Sequence, residues 1–151
     1  MGEFVIREAR AADVHDLKEL YFEHLTKTPP VEEQDMTAWA ELVEGFAESS
    51  DYYLLVGEVE GRVVATVTLV IINNLTHNMR PYGVVENVVT HEAHWGKGYA
   101  TKLLDRASEL ARERNCYKIM LMTGSKKEST LRFYKNAGFD GNAKTAFDKR
   151  L

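Results

Sequence analysis

Between Glu86 and Ala100 an apolar, strand-like run with a carboxylate at its start leads straight into His94-Trp95-Gly96-Lys97-Gly98-Tyr99-Ala100, and an amphipathic helical pattern follows. A strand that ends in a glycine-rich turn and opens a helix gathers unpaired backbone N–H groups, and the positive end of a helix dipole, around one concavity. That is an anion site suited to a pyrophosphate. Its donors are the N–H groups of Gly96, Lys97, Gly98, Tyr99 and Ala100; the small residues allow close approach and Thr101 adds a hydroxyl. The alternative is a tight turn of no special function. Two common phosphate motifs are excluded by position. A P-loop needs glycine where His91 stands, and a GxGxxG fingerprint needs a third glycine where Thr101 stands.

The pattern that fits is [Gln/Arg]-x-x-Gly-x-[Gly/Ala], with Gly98 and Ala100 at the small positions. It resembles the acetyl-CoA pyrophosphate loop of the GNAT superfamily of N-acetyltransferases. Downstream, Leu131-Arg132-Phe133-Tyr134-Lys135-Asn136-Ala137-Gly138-Phe139 resembles the FYxxxGF signature that closes the CoA site of these enzymes. Within the superfamily, the segment Val64 to Phe139 is most similar to the glucosamine-6-phosphate N-acetyltransferases. The matching features are Ala65-Thr66-Val67-Thr68-Leu69, Val85-Glu86-Asn87-Val88-Val89 and Asn115-Cys116-Tyr117-Lys118-Ile119. The likeness covers half the chain and leaves out the first sixty residues.

The resemblance implies acetyl-CoA as cosubstrate, no metal, and direct attack of a primary amine on the thioester. It implies that the pantetheine arm runs along Val88, Val89 and Thr90. A backbone N–H in that stretch would polarise the thioester carbonyl and stabilise the oxyanion of the tetrahedral intermediate. Glu86 takes the place of the family's strand carboxylate and is the candidate general base, directly or through water. The alternative is a carboxylate facing solvent or in an ion pair. Tyr134 matches the tyrosine that protonates, or donates a hydrogen bond to, the departing thiolate; the alternative is a core tyrosine. Trp95 stands where the pattern has Arg or Gln, which removes a side-chain donor and leaves the backbone cradle. Lys97 is a candidate to supply that charge, or a solvated lysine. Arg132 is a candidate for the nucleotide phosphate, or a surface arginine.

Departures from the sugar-phosphate enzymes concern the acceptor: Asn87 and Met122 stand where those enzymes carry acids, and the loop Thr123 to Lys127 is longer. Another small amine, such as an amino acid, polyamine or amino sugar, is an equal expectation. The alternatives are a non-catalytic acetyl-CoA-binding regulatory protein and an acetyltransferase for protein or peptide amines. Homodimers are common among such folds, though no sequence feature demonstrates one.

The chain has 151 residues, net charge −4 and one cysteine. This length suits one domain, 1–151. The acidic balance argues against nucleic acid or anionic membrane as partner. Without a signal peptide or spanning segment, and with Cys116 read as a buried thiol, the expected location is cytoplasmic. The five histidines are spread over the first helix and two loops and do not read as a metal site; His91 and His94 flank the phosphate turn.

The elements that must position these groups follow from periodicity. Phe4–Arg7 reads as a strand, and Asp13 as the cap of a helix carrying Val14, Leu17, Leu20, Tyr21 and Leu25. A second helix spans 33–47, with Trp39 and Phe46 on a face whose simple reading is packing; by the resemblance, this region also forms one wall of the acceptor pocket. Tyr52–Val59 and Arg62–Ile72 form a hairpin at Glu60-Gly61. A loop covers 73–81, followed by a strand over Val84–Thr90, the helix after the glycine turn, a strand over Tyr117–Met122, a helix over Ser129–Asn136 and a last strand over Phe139–Phe147. The fold class is α/β (α+β). By the resemblance it is a mixed, mostly antiparallel sheet with a splayed strand pair, flanked by helices.

Overall fold

In the computed structural model, which describes residues 2–151, five strands form one sheet in the order β1-β2-β3-β4-β5. They are β1 (Val5–Glu8), β2 (Tyr52–Val59), β3 (Arg62–Ile72), β4 (Tyr82–Thr90) and β5 (Ile119–Leu121). The first four pair antiparallel, and β5 lies parallel to β4. The β2–β3 hairpin turns at Glu60 and Gly61, both at positive φ (53° and 78°), as a tight two-residue turn demands.

Helix α1 (Val14–Glu19) runs on into a π-turn (Leu20–Leu25), and α2 (Met36–Glu48) follows. Together they pack Leu17, Leu20 and Val43 onto Leu54, Val56, Val63 and Val89 on one face of the sheet. A single turn, α3 (Thr76–Met79), precedes β4 and holds His77 and Asn78 in left-handed conformation. The opposite face is covered by α4 (Tyr99–Glu113). Its Leu103, Leu104, Ala107, Leu110 and Ala111 meet Leu55, Ala65, Val67, Leu69 and Val85. Last comes α5 (Glu128–Asn136), stopped by Gly138 at φ 99°. Burial of these two apolar layers against one sheet is the main source of stability.

Three local expectations are corrected. Residues 139–151 form no strand and are largely exposed, with Phe147 at 92%. Phe139 is captured by the end of α5 through its N–H to the Tyr134 carbonyl (3.0 Å), and beyond it no strand pairs with the chain. Asp13 does not cap α1. It is buried, accepts the Arg10 N–H (2.7 Å) and pairs with both terminal nitrogens of Arg7 (2.7 and 2.8 Å). Burial pushes its carboxyl up, but the contacts with Arg7 and Arg10 outweigh this and leave it below the ordinary carboxylate range. The strand read as Tyr117–Met122 shrinks to Ile119–Leu121.

Candidate active site

The site begins where β4 loses its partner. Pairing with β5 covers only Gly83, Val84 and Val85, opposite Ile119, Met120 and Leu121. From Glu86 onward one edge of β4 is bare. The Gly83 N–H donates to the Lys118 carbonyl (3.0 Å), while the His91 N–H donates to the Val64 carbonyl (2.8 Å). Antiparallel ladders alternate inward and outward groups. Val89, paired with Thr66, therefore spends its backbone on β3, and the N–H and C=O groups of Val88 and Thr90 face the open edge.

A bulge sits at the start of this edge. Thr66 pairs with Val89 but Thr68 pairs with Glu86, so two steps on β3 span three on β4. The extra residue is accommodated at Asn87, which takes φ 52°, a conformation Asn tolerates better than most. The bulge turns Glu86 onto the same face as Val89, the face covered by α1 and α2. Without it, residues three apart on a strand would point to opposite faces. Glu86 is exposed and enters none of the hydrogen bonds or ion pairs among the described residues.

The glycine turn follows β4 directly. Gly96 and Gly98 have φ of 77° and 79°, and a Cβ at either would meet nothing within 4 Å. The first helical bond of α4 runs from the Lys102 N–H to the Gly98 carbonyl (3.1 Å), which leaves the N–H groups of Tyr99, Ala100 and Thr101 ahead of the ladder. The open space over two left-handed glycines, the bare donors and the helix dipole fit a phosphate group. The Tyr99 ring is turned away, stacked on Phe4 at 3.9 Å. The Trp95 indole N–H donates to the Thr90 carbonyl (2.9 Å), pinning the turn to the end of β4. Lys97 Nζ lies 3.3 Å from His94 Nδ1. Burial, then the charge of Lys97, hold the His94 imidazolium below its usual range.

On the β5 side, α5 carries Tyr134, half-buried against Phe133 (5.0 Å) and Phe139 (6.2 Å) with no hydrogen-bond partner for its hydroxyl among the described residues. Burial pushes its pKa up, so the phenol keeps its proton. Arg132 is exposed and pairs with Glu128 at 3.1 Å. On α2, Trp39 lies 6.2 Å from both Tyr21 and Phe22, and Phe46 stacks on Tyr52 at 4.2 Å.

Sequence reasoning missed the contacts that the π-turn makes. It brings His24 against His91 (ring centroids 4.0 Å), and His91 Nε2 to Glu19 (3.3 Å), whose other oxygen meets Arg62. Burial raises the Glu19 carboxyl, but Arg62 and His91 together draw it below its ordinary value. Ligand atoms of Glu19, His24 and His91 lie within 4.8 Å of one another, the spacing of a metal centre. Both imidazole Nδ1 atoms, however, accept backbone N–H groups, from Glu92 (3.4 Å) and Ala93 (3.1 Å). Those bonds put the ring protons on Nε2, where a metal would need the lone pair. The same π-turn leads to Lys27, whose ammonium pairs with Glu92 (3.3 Å) and lies 5.6 Å from the centre of the Trp95 ring. Only long-range contacts reveal these pairs; no spacing in the sequence signals them. A concavity of about 680 Å³ on the outer side of α1 and the π-turn touches this cluster through Glu19 and Lys27 and includes neither Glu86 nor the glycine turn. No helix among the described residues is long and apolar enough to cross a membrane.

The family model described as Acetyltransferase (GNAT) family matches residues 12–139. A glucosamine 6-phosphate N-acetyltransferase of Trypanosoma brucei brucei is 28% identical over 142 residues, 92% of each chain. Among solved structures, a candidate acetyltransferase from Agrobacterium tumefaciens is 37% identical with a TM-score of 0.88, covering 97% of this chain and 99% of that one. The glucosamine-6-phosphate N-acetyltransferase of Arabidopsis thaliana shares the fold at 22% identity and a TM-score of 0.84, over 99% of each chain.

Proposed function

The chain belongs to the GNAT family of acetyltransferases, and from that premise we propose that it transfers the acetyl group of acetyl-CoA to the primary amine of a small molecule by direct attack. The observation that carries this reading is the bare edge of β4 running straight into a donor-lined glycine turn. Acetyl-CoA supplies the activated thioester, and its phosphates suit the turn from Gly96 to Thr101. The Val88 carbonyl and the Thr90 N–H align the pantetheine amides, with the Val88 N–H as oxyanion donor near the bulge. Arg132 and Lys97 add charge at the phosphates.

Glu86 receives the ammonium proton on the acceptor face, and Tyr134 returns a proton to the thiolate from the other side of the gap. Tyr134 suits that role because burial keeps its hydroxyl protonated, so the proton moves as the carbon–sulfur bond breaks. An amino sugar phosphate is the first acceptor to try, since the Trypanosoma brucei brucei relative bears that name. The buried thiol of Cys116 suits work in a reducing cytoplasm.

The test is thermal stability with and without acetyl-CoA, then thiol release across a panel of amines including glucosamine 6-phosphate. A native-state ligand raises the melting temperature. Glu86→Gln should lower kcat about 10²-fold, and Tyr134→Phe about tenfold, with the fold intact. Unchanged turnover in both variants would remove the catalytic assignment; no thermal shift at millimolar cofactor would remove the phosphate assignment as well.

A further inference from the structure

We propose that Lys27, delivered to the glycine turn from the connection between α1 and α2, is a cation that meets the cofactor pyrophosphate, and that the Trp95 ring holds it ready. The proposal deepens the acetyl-CoA reading and rests on it. The turn itself offers backbone donors, which carry partial charges only, and Lys97 as its one cationic side chain. At the position where the motif calls for Arg or Gln stands Trp95, which has no charge to give.

Trp95 is nevertheless not idle. Its indole N–H is spent on the Thr90 carbonyl (2.9 Å), which fixes the ring at the junction of strand and turn. The ring face then receives the Lys27 ammonium at 5.6 Å from its centroid. An ammonium over an indole keeps its charge while losing some of its mobility. Glu92, in the short segment between β4 and the glycine turn, balances that charge at 3.3 Å. Lys27 and Glu92 are both about half exposed (55% and 48%), and an ion pair so open to solvent is weak. A pyrophosphate, with more charge and more acceptor oxygens than a carboxylate, takes the ammonium from Glu92.

Lys27 is brought there by the fold. Three residues before it, the His24 ring packs on His91 at 4.0 Å and its Nδ1 accepts the Glu92 N–H at 3.4 Å. The end of the π-turn is thus tied to the segment that leads into the glycine turn. A cation from a distant stretch of sequence replaces, in space, the side-chain donor that Trp95 lacks.

Calorimetric titration with acetyl-CoA tests this on the whole chain. Lys27→Met should weaken binding about tenfold at low salt and flatten its salt dependence. Lys27→Arg should stay within about threefold of the native protein. The side chain is exposed, so the melting temperature without ligand should not change. In a Trp95→Leu background, Lys27→Met should cost clearly less than it does alone, because the platform is gone. Tight, salt-sensitive binding by Lys27→Met equal to that of the native protein would overturn the proposal and leave the reading of the turn standing. A native protein that binds no acetyl-CoA at millimolar concentration would overturn both.

Discussion

The two halves of β4 each carry a pair of valines and have opposite duties. From Gly83 to Val85 the strand is paired on both sides, with β3 and with β5, and Val85 is 1% exposed in the core. From Glu86 to Thr90 it is paired on one side only, and its free edge faces the gap. The first half holds the sheet together. The second half leaves a row of backbone groups unpaired, normally a liability at a sheet edge, and it is this edge that the proposed function assigns to the cofactor. Asn87 marks the boundary, since its bulge both bends the strand and turns Glu86 to the face covered by α1 and α2.

One substitution applied to each half separates these duties. Val85→Pro removes an N–H that faces β5 and a buried side chain, and should destabilise by about 3 kcal/mol or more in urea unfolding. Thr90→Pro removes an N–H that faces the open edge and should leave stability within about 1 kcal/mol, because Pro is tolerated at edges. Its effect should appear instead as a KM for acetyl-CoA raised about tenfold at unchanged kcat. Equal destabilisation by the two would erase the division drawn along β4.

The boundary itself is open to test. Asn87→Val puts a β-branched residue at φ 52°, with a cost of about 1–2 kcal/mol, and should lower kcat as the bulge relaxes and Glu86 turns away. Asn87→Gly should keep both stability and turnover, so a Val variant as active as the Gly variant would dissociate the bulge from catalysis.

The smallest effect concerns pH at the far end of the free edge. His94 is held below its ordinary pKa by burial and by Lys97, so it is neutral in the unliganded protein near pH 7. A phosphate in the turn favours the imidazolium, and binding then takes up a proton. Affinity for acetyl-CoA should therefore strengthen a few-fold between about pH 8 and about pH 6, and His94→Gln should flatten that slope. The same depressed pKa contributes stability that is present above the unfolded value of about 6.5 and lost as pH falls through the folded one.

Much of this arrangement was legible from local pattern. The apolar spacing in α4, the Glu60-Gly61 hairpin and the glycine turn each depend on residues within a few positions of one another, and each stands where periodicity placed it. The failures share a cause. Phe139–Phe147 has strand formers only in its two phenylalanines and Thr145, the Asp140-Gly141-Asn142 run between them favours a turn, and no strand pairs there. Asp13 has a capping residue's chemistry, yet Arg7, brought alongside by β1, recruits it into a buried pair. Asn87 read as a missing acid, whereas its importance lies in its backbone.

The sequence alone determined that a strand, a glycine turn and a helix would follow one another with unpaired backbone donors at the helix start, because left-handed glycines and a helix start are local matters of sterics. It also determined the order of the two motifs that bracket the site. Tertiary structure decided the rest: that pairing with β5 stops at Val85, that a bulge turns Glu86 toward α1 and α2, and that Lys27 comes to lie over Trp95. Those facts depend on the register of strands and the docking of helices, which are set by the packing of two cores and not by any one segment.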